Sequence, residues 1–254
     1  MLSKNKIKLI HSLEQKKFRK KEGLFVAEGA KLVNELLQCM PCAGLYHTET
    51  YTLPKEGVFF LAEESTICFE ELQKASFLAT PQDVLALFEL PKDNDEPWLT
   101  YPTDSLCIAL DGVQDPGNLG TICRVADWFG IHHIFCSPQT ADIYAPKSVQ
   151  ATMGAIARVH LHYVDLCQLI DSLTAGTPIY GTLLDGKNIY HQTLQNNGLL
   201  IMGNEGNGLT PPIRQRINQS LFIPSFPADG VTSESLNVGV ATAIACAEFR
   251  RRLS

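Results

Sequence analysis

The sequence predicts an α/β protein: a parallel sheet in the second part of the chain, preceded by a smaller α/β domain. Two observations carry this. Apolar runs of strand length alternate with amphipathic stretches of helix length along most of the 254 residues, and such alternation builds parallel sheets covered by helices. One stretch interrupts it. Pro91-Lys92-Asp93-Asn94-Asp95-Glu96-Pro97 is polar, bounded by prolines and without periodicity, as linkers are. It predicts domains 1–96 and 97–254, each of ordinary size.

In the first part, residues 4–15 read as helix and Leu24-Phe25-Val26 as a short strand. Gly29 to Gln38 reads as a helix with Leu32, Val33, Leu36 and Leu37 on one face. Val58-Phe59-Phe60-Leu61 is a strand, Thr66 to Lys74 a helix, and Val84 to Phe88 the last strand. In the second part, strands are expected at Leu106–Leu110, His133–Cys136, Val159–Val164, Ile179–Leu184, Leu199–Met202 and Leu221–Ile223. Helices are expected at Asn118–Phe129, Ala145–Met153, Asp165–Leu173, after a Thr210 cap with Pro211 at the first position, and at Ser235–Arg252. Gly130 suits the end of the first of these helices, and Arg250, Arg251 and Arg252 complement the dipole of the last.

Hydrophobic residues make up 45% and charged residues 19%, which suits a globular protein with a sizeable core. No apolar run reaches membrane-spanning length, and Met1 to Lys6 leads into a polar stretch without a signal segment. A cytoplasmic location without a membrane partner is expected. The eight cysteines include several within apolar runs, such as Cys107-Ile108-Ala109-Leu110, and read as reduced, buried thiols. Cys39-Met40-Pro41-Cys42 has no second pair or matched histidines to complete a metal site, so no metal is expected.

The net charge is −6, but residues 1–22 hold eight Lys/Arg against Glu14 and Glu22, a segment of +6 on a body of −12. A basic patch on an acidic body is an electrostatic footprint for nucleic acid that the whole-chain charge hides. A solvated helix face would look the same.

On a parallel sheet, ligands sit beyond the carboxyl ends of the strands. Three clusters fall there. Asp111 to Arg124 holds a Pro-Gly turn, with Asn118 suited to cap the next helix; Ile122, Val125, Ala126 and Phe129 share a face and Arg124 lies nearly opposite. Gly203-Asn204-Glu205-Gly206-Asn207-Gly208 follows a strand. Its G-x-x-G-x-G spacing is neither the dinucleotide-binding fingerprint nor a P-loop, and Glu205 would repel a pyrophosphate. Ile223-Pro224 and then Ser235-Leu236-Asn237 bring small hydrogen-bonding groups to a helix start, where capping alone would also explain them.

Taken in order, these clusters resemble the SpoU (TrmH-like) branch of the SPOUT RNA methyltransferases. The family's Asp-Pro-x-Asn-x-Gly-x-x-x-Arg is matched at Asp115, Pro116, Asn118, Gly120 and Arg124. Gly-x-Glu-Gly-x-Gly is matched at Gly203, Glu205, Gly206 and Gly208, and Ile-Pro with Ser-Leu-Asn-Val at Ile223, Pro224 and Ser235 to Val238. Phe25-Val26-Ala27-Glu28-Gly29 is similar to the signature of that family's small, ribosomal-protein-like substrate-binding domain. Departures are the long Ser225–Thr232 stretch and Gly239 in place of a more usual serine.

The resemblance implies a C-terminal SPOUT parallel-sheet domain closed by a trefoil knot, working as a homodimer. It implies methyl transfer from S-adenosylmethionine to a ribose 2′-hydroxyl in RNA, ribosomal RNA before transfer RNA. By motif, Thr182, Gly203, Ile223 and Leu236 are expected to contact the donor. Arg124 would lie closest to the reacting hydroxyl, with Asn118, Glu205, Ser235 and Asn237 holding it and the ribose. Lys16, Lys17, Arg19, Lys20 and Lys21 are expected to dock RNA phosphates. A catalytically silent RNA-binding protein of the same fold is the alternative, and the glycine spacing disfavours a nucleotide-dependent oxidoreductase.

Overall fold

A computed structural model describes residues 1–55, 60–91, 100–227 and 233–251. The linker residues 92–97, Val58 and Phe59 of an expected strand, and residues 228–232 lie outside the described residues. The chain divides into two compact units, 1–94 with 142–157, and 95–141 with 158–254.

The first unit contains α1 (Lys4–Ser12), α2 (Lys16–Glu22), β1 (Leu24–Glu28), α3 (Ala30–Leu37), β2 (Cys42–His47), β3 (Glu64–Thr66), α4 (Phe69–Ala75) and β4 (Val84–Glu89). Its sheet runs β1-β4-β2-β3, with β4 antiparallel to both β1 and β2. Ile10, Leu13, Val26, Tyr46, Leu72 and Leu85 form one core cluster, so α1 and α4 cover that face. The helix expected over 4–15 ends at Ser12, capped by Leu13, and a second helix that was not foreseen follows at Lys16–Glu22. β2 was not foreseen. Its Cys-Ala-Gly-Leu-Tyr-His run has no clean alternation, yet it is buried along most of its length. Segment 142–157, which the sequence reading places beyond the linker, belongs to this unit; it carries α7 (Pro146–Thr152), which packs on β1.

The second unit contains α5 (Tyr101–Asp104), β5 (Leu106–Asp111), α6 (Pro116–Trp128), β6 (His133–Cys136), β7 (His160–Tyr163), α8 (Leu166–Ser172), β8 (Ile179–Asn188), β9 (Gly198–Gly203), α9 (Pro211–Arg214), β10 (Gln219–Phe222) and α10 (Val238–Arg251). Its six strands are all parallel, in the order β10-β8-β9-β5-β6-β7. β5 is buried at all six positions, as its unbroken apolar run requires of a strand covered on both faces. Cys107, Ala109, Leu199 and Ile201 pack in one cluster with Leu166, Leu169 and Ile213 of α8 and α9. The alternate residues face the other side, where α6 and α10 pack together and on β6 and β9.

Two expectations change here. α6 starts at Pro116, not Asn118, because Asp115 is its N-cap; Asp115 Oδ1 accepts the Asn118 amide at 2.8 Å. β8 continues past Leu184 to Asn188, but its ladder is interrupted. Ser220 pairs with Gly181 and the next residue, Leu221, with Lys187, so Thr182 to Gly186 form an excursion from the sheet. Gly186 is required there, since a Cβ would lie 2.6 Å from the Leu221 carbonyl carbon.

At the β6–β7 edge, Tyr101 stacks on His133 with centroids 3.8 Å apart. The His133 ring lies 5.5 Å from that of His160 and 5.4 Å from that of His162, and its Nδ1 is 3.1 Å from His162 Nε2. Burial first, then the neighbouring histidines His162, His160 and His132, push His133 from the ordinary 6.5 down to about 4. The native state therefore holds His133 neutral. It contributes stability that is present above pH 6.5 and lost as the pH falls toward 4. Thermal melts should show the Tm of the wild type falling more steeply over that window than that of His133→Phe, which keeps an aromatic ring against Tyr101. Identical slopes would remove His133 as the source.

Candidate active site

The register of the second sheet places the sequence motifs together. β5 pairs with β9 so that Asp111 is opposite Gly203, the last residue of each strand. The order of the strands reverses at β5: β6 and β7 follow to one side, and β9, β8 and β10 lie on the other. The carboxyl-end loops of β5 and β9 therefore meet at a topological switch point, the usual place for a ligand.

The loop after β9 is closed on itself. Asn204 and Gly208 exchange backbone hydrogen bonds at 3.0 and 2.9 Å, and Gly208 takes φ +67°. The Asn204 side chain organises the rest. Its Oδ1 accepts the amides of Gly206 at 2.9 Å and Asn207 at 3.1 Å, and its Nδ2 donates to the Gly112 carbonyl at 2.8 Å in the loop after β5. The buried Asp111 accepts the Thr210 amide at 2.7 Å, tying the far side of the same loop. Sequence reasoning missed Asn204 and Asp111 as organisers. An Asn beside Glu205 in a Gly-rich turn, ready to form an Asx turn, was the available signal.

Glu205 is presented by this loop to α6. Asn118 Nδ2 donates to Glu205 Oε1 at 2.7 Å, and Asn118 Oδ1 accepts from Asn237 Nδ2 at 2.9 Å. Asn237 Oδ1 in turn caps α10, accepting the amides of Gly239 at 2.9 Å and Val240 at 3.3 Å. One residue from each of the three motifs is thus joined in one exposed polar chain.

Arg124 stands apart from that chain. It is exposed and makes no hydrogen bond or ion pair to a described residue. Six residues along an α-helix turn the side chain by about 120° relative to Asn118, so Arg124 shares its face with the 84%-exposed Trp128 instead. Among the described residues, none of Asn118, Glu205, Ser235 and Asn237 is hydrogen-bonded to Arg124. Ser235 and Leu236 are exposed immediately before Asn237. Thr182 sits where β8 leaves β9, its Oγ1 donating to the Ile201 carbonyl at 3.3 Å, and Ile223 is half-buried just beyond β10. Thr182, Gly203 and Ile223 therefore lie at the same sheet end as the polar chain.

The basic segment needs a correction at Arg19. Its side chain is 3% exposed, donates to the carbonyls of Leu13 and Glu14 at 2.7 Å, and pairs with Asp142 at 2.7 Å. It is an internal strut of the first unit and is not presented to phosphates. Lys16, Lys17, Lys20 and Lys21 are exposed on α2.

The fold and this arrangement define an α/β protein with a motif-built site at the carboxyl end of a six-stranded parallel sheet. The chain belongs to the SpoU rRNA methylase family, whose model it matches over residues 105–247. Residues 4–86 match the MRM3-like substrate binding domain. The chain is similar to the Bacillus subtilis 23S rRNA (guanosine(2553)-2'-O)-methyltransferase RlmP, with 31% identity over 94% of this chain and 93% of that protein. Among solved structures, it is similar to a putative RNA methyltransferase of the TrmH family from Porphyromonas gingivalis, with 39% identity, TM-score 0.84 and 99% coverage of both chains. An AdoMet-bound rRNA methyltransferase from Sinorhizobium meliloti shares 27% identity at TM-score 0.80, covering 100% of this chain and 98% of that one.

Gly203 carries the tightest constraint in the site. A Cβ there would lie 2.4 Å from the Gly208 carbonyl carbon and 2.6 Å from the Leu209 nitrogen, both backbone atoms. Gly203→Ala should force the loop open and cost about 1–3 kcal/mol, as overpacking does. Denaturant unfolding checks this, and an unchanged midpoint would sink it.

Proposed function

We propose that the protein transfers a methyl group from S-adenosylmethionine to a ribose 2′-hydroxyl in RNA, with ribosomal RNA the favoured substrate and transfer RNA the second. The observation that carries this reading is the Glu205–Asn118–Asn237 chain, which links all three motifs by side-chain bonds of 2.7 and 2.9 Å. The similarity to RlmP supports it. The presence of the whole polar set Asn118, Arg124, Glu205, Ser235 and Asn237 argues against a catalytically silent RNA-binding protein.

The residues at the sheet end fit such a donor. Thr182, Gly203, Ile223 and Leu236 offer backbone groups, one hydroxyl and apolar side chains, which suits an adenosine and a methionine chain. The Glu205 carboxylate suits a nearby cationic sulfonium. When bound, S-adenosylmethionine supplies an already activated methyl group, so the protein's work is mainly positioning and proton handling. An arginine guanidinium carries N–H donors and no acceptor, so Arg124 acts as a donor. Its task on this reading is to hold the ribose hydroxyl or an adjacent phosphate and stabilise negative charge developing on the oxygen. Asn118 and Asn237, fixed by each other and by Glu205, orient the ribose. A 2′-hydroxyl as acceptor selects RNA over DNA.

We assign residues 1–96 to substrate binding and 97–254 to a knotted catalytic domain, active in the cytoplasm as a homodimer. Arg124 facing away from its own polar chain supports a site shared between two copies. So do the exposed apolar side chains on that side of α6 and at the start of α10: Trp128 at 84%, Leu236 at 47% and Val240 at 49%.

Arg124→Ala should abolish incorporation of labelled methyl into RNA while the circular dichroism stays unchanged. Undiminished transfer would remove Arg124 from the reaction. RNA binding through α2 should weaken with salt, and each loss of Lys16, Lys17, Lys20 or Lys21 should lower the log–log salt slope by about 1. Arg19→Ala should instead lower the melting temperature, because it leaves Asp142 unpaired. Filter binding across a salt series checks the first effect; a slope unchanged by all four lysine substitutions would refute it.

A further inference from the structure

We infer that Arg250 is a positioning residue for the site, holding α6 and α10 in the axial register that lets Asn237 reach Asn118. This rests on the methyltransfer reading only where it concerns rate. By sequence, Arg250 belongs to the dipole of its own helix. In the structure it reaches across to α6. Its Nε donates to the Phe129 carbonyl at 2.7 Å and one terminal nitrogen to the Gly130 carbonyl at 3.1 Å. The other terminal nitrogen donates to Asn196 Oδ1 at 3.5 Å, just ahead of β9.

α6 and α10 run parallel, joined at both ends. At the N-terminal ends Asn237 donates to Asn118 at 2.9 Å. At the C-terminal ends Arg250 holds the carbonyls that close α6. Between them the helices approach closely at Gly239, where a Cβ would lie 3.1 Å from Thr121 Cγ2. The α6 terminus needs no arginine for its own satisfaction. Ile131 already donates to Ala126 at 2.8 Å and Gly130 takes φ +62°, as in a helix stop built on glycine. A cation there adds attraction to the negative end of the helix dipole and a geometric link to α10. Without it, only the packed face of α10 sets its position along α6, and a shift of about 1 Å is enough to break a hydrogen bond of this length.

The test is a double-mutant cycle in labelled-methyl transfer with Arg250→Met and Asn237→Ala. Arg250→Met should lower kcat roughly tenfold with KM for donor and RNA unchanged. In the Asn237→Ala background it should cause no further loss, because the junction it serves is already gone. Hydrogen exchange at the Gly239 and Val240 amides, which Asn237 holds, should quicken in Arg250→Met whatever the activity. A wild-type kcat in Arg250→Met, a loss that multiplies with that of Asn237→Ala, or unchanged exchange would overturn the inference. Should the Met variant not fold, Arg250→Lys decides in the same cycle. Lysine reaches one carbonyl where arginine reaches two, so a partial loss absorbed by Asn237→Ala supports the inference and any other pattern overturns it. Wild-type protein that transfers no label refutes the methyltransfer reading instead, and the exchange experiment still decides the role of Arg250.

Discussion

The pairing of β5 with β9 is the constraint on which the site depends. It sets Asp111 opposite Gly203 at the sheet end. From that register the two following loops have no choice but to run side by side, and Asn204 fastens one to the other through the Gly112 carbonyl. A one-residue slip would exchange the two buried faces of β9 and take Leu199 and Ile201 out of the cluster they fill with α8 and α9. The buried positions Leu199 to Met202 fix the register, and through it the position of Glu205. Core packing and site geometry are thus the same fact seen at two ends of one strand.

The polar chain Glu205–Asn118–Asn237 is exposed, and exposed hydrogen bonds contribute little to stability. Its value lies in restricting three side chains that would otherwise sample many rotamers. Each member is anchored to backbone before it meets its neighbour. Asn118 sits in the first turn of a helix capped by Asp115, Asn237 caps α10, and Glu205 rides on the Asn204 turn. Preorganisation of this kind concentrates a short-range polar array without burying charge.

Much of this was legible in the sequence. Strands of the second unit announce themselves as apolar runs, and the glycine spacing at 203–208 by itself excludes phosphate cradles. What escaped has physical causes. Asp115 and Asn118 are both good caps, and only geometry shows that Asp115 takes the role. β2 contains Gly44, where a Cβ would lie 2.5 Å from the Tyr46 hydroxyl, so its glycine reads as a break but serves packing. The excursion at Thr182–Gly186 depends on Leu221 passing over Gly186, a contact between distant segments. Arg19 reads as one more cation in a basic run. Its burial depends on Asp142, 123 residues away, and no local pattern encodes that.

The orientation of Arg124 follows from the same packing. Ile122, Cys123 and Ala126 are fully buried on α6. Rotating the helix far enough to bring Arg124 toward Asn118 would draw those side chains into water, at about 25 cal/mol per Å² of apolar surface exposed. The helix is therefore fixed, and with it the separation of Arg124 from Glu205, Asn118 and Asn237. On the proposed reading, no described residue of this chain joins Arg124 to the polar chain, and the RNA itself or a second copy would bring both onto one ribose. A second copy seated against Trp128 and Val240 would satisfy both demands at once, covering apolar surface and setting one chain's Arg124 beside the other's polar array. Two functions that one helix cannot present on one face are then combined by symmetry.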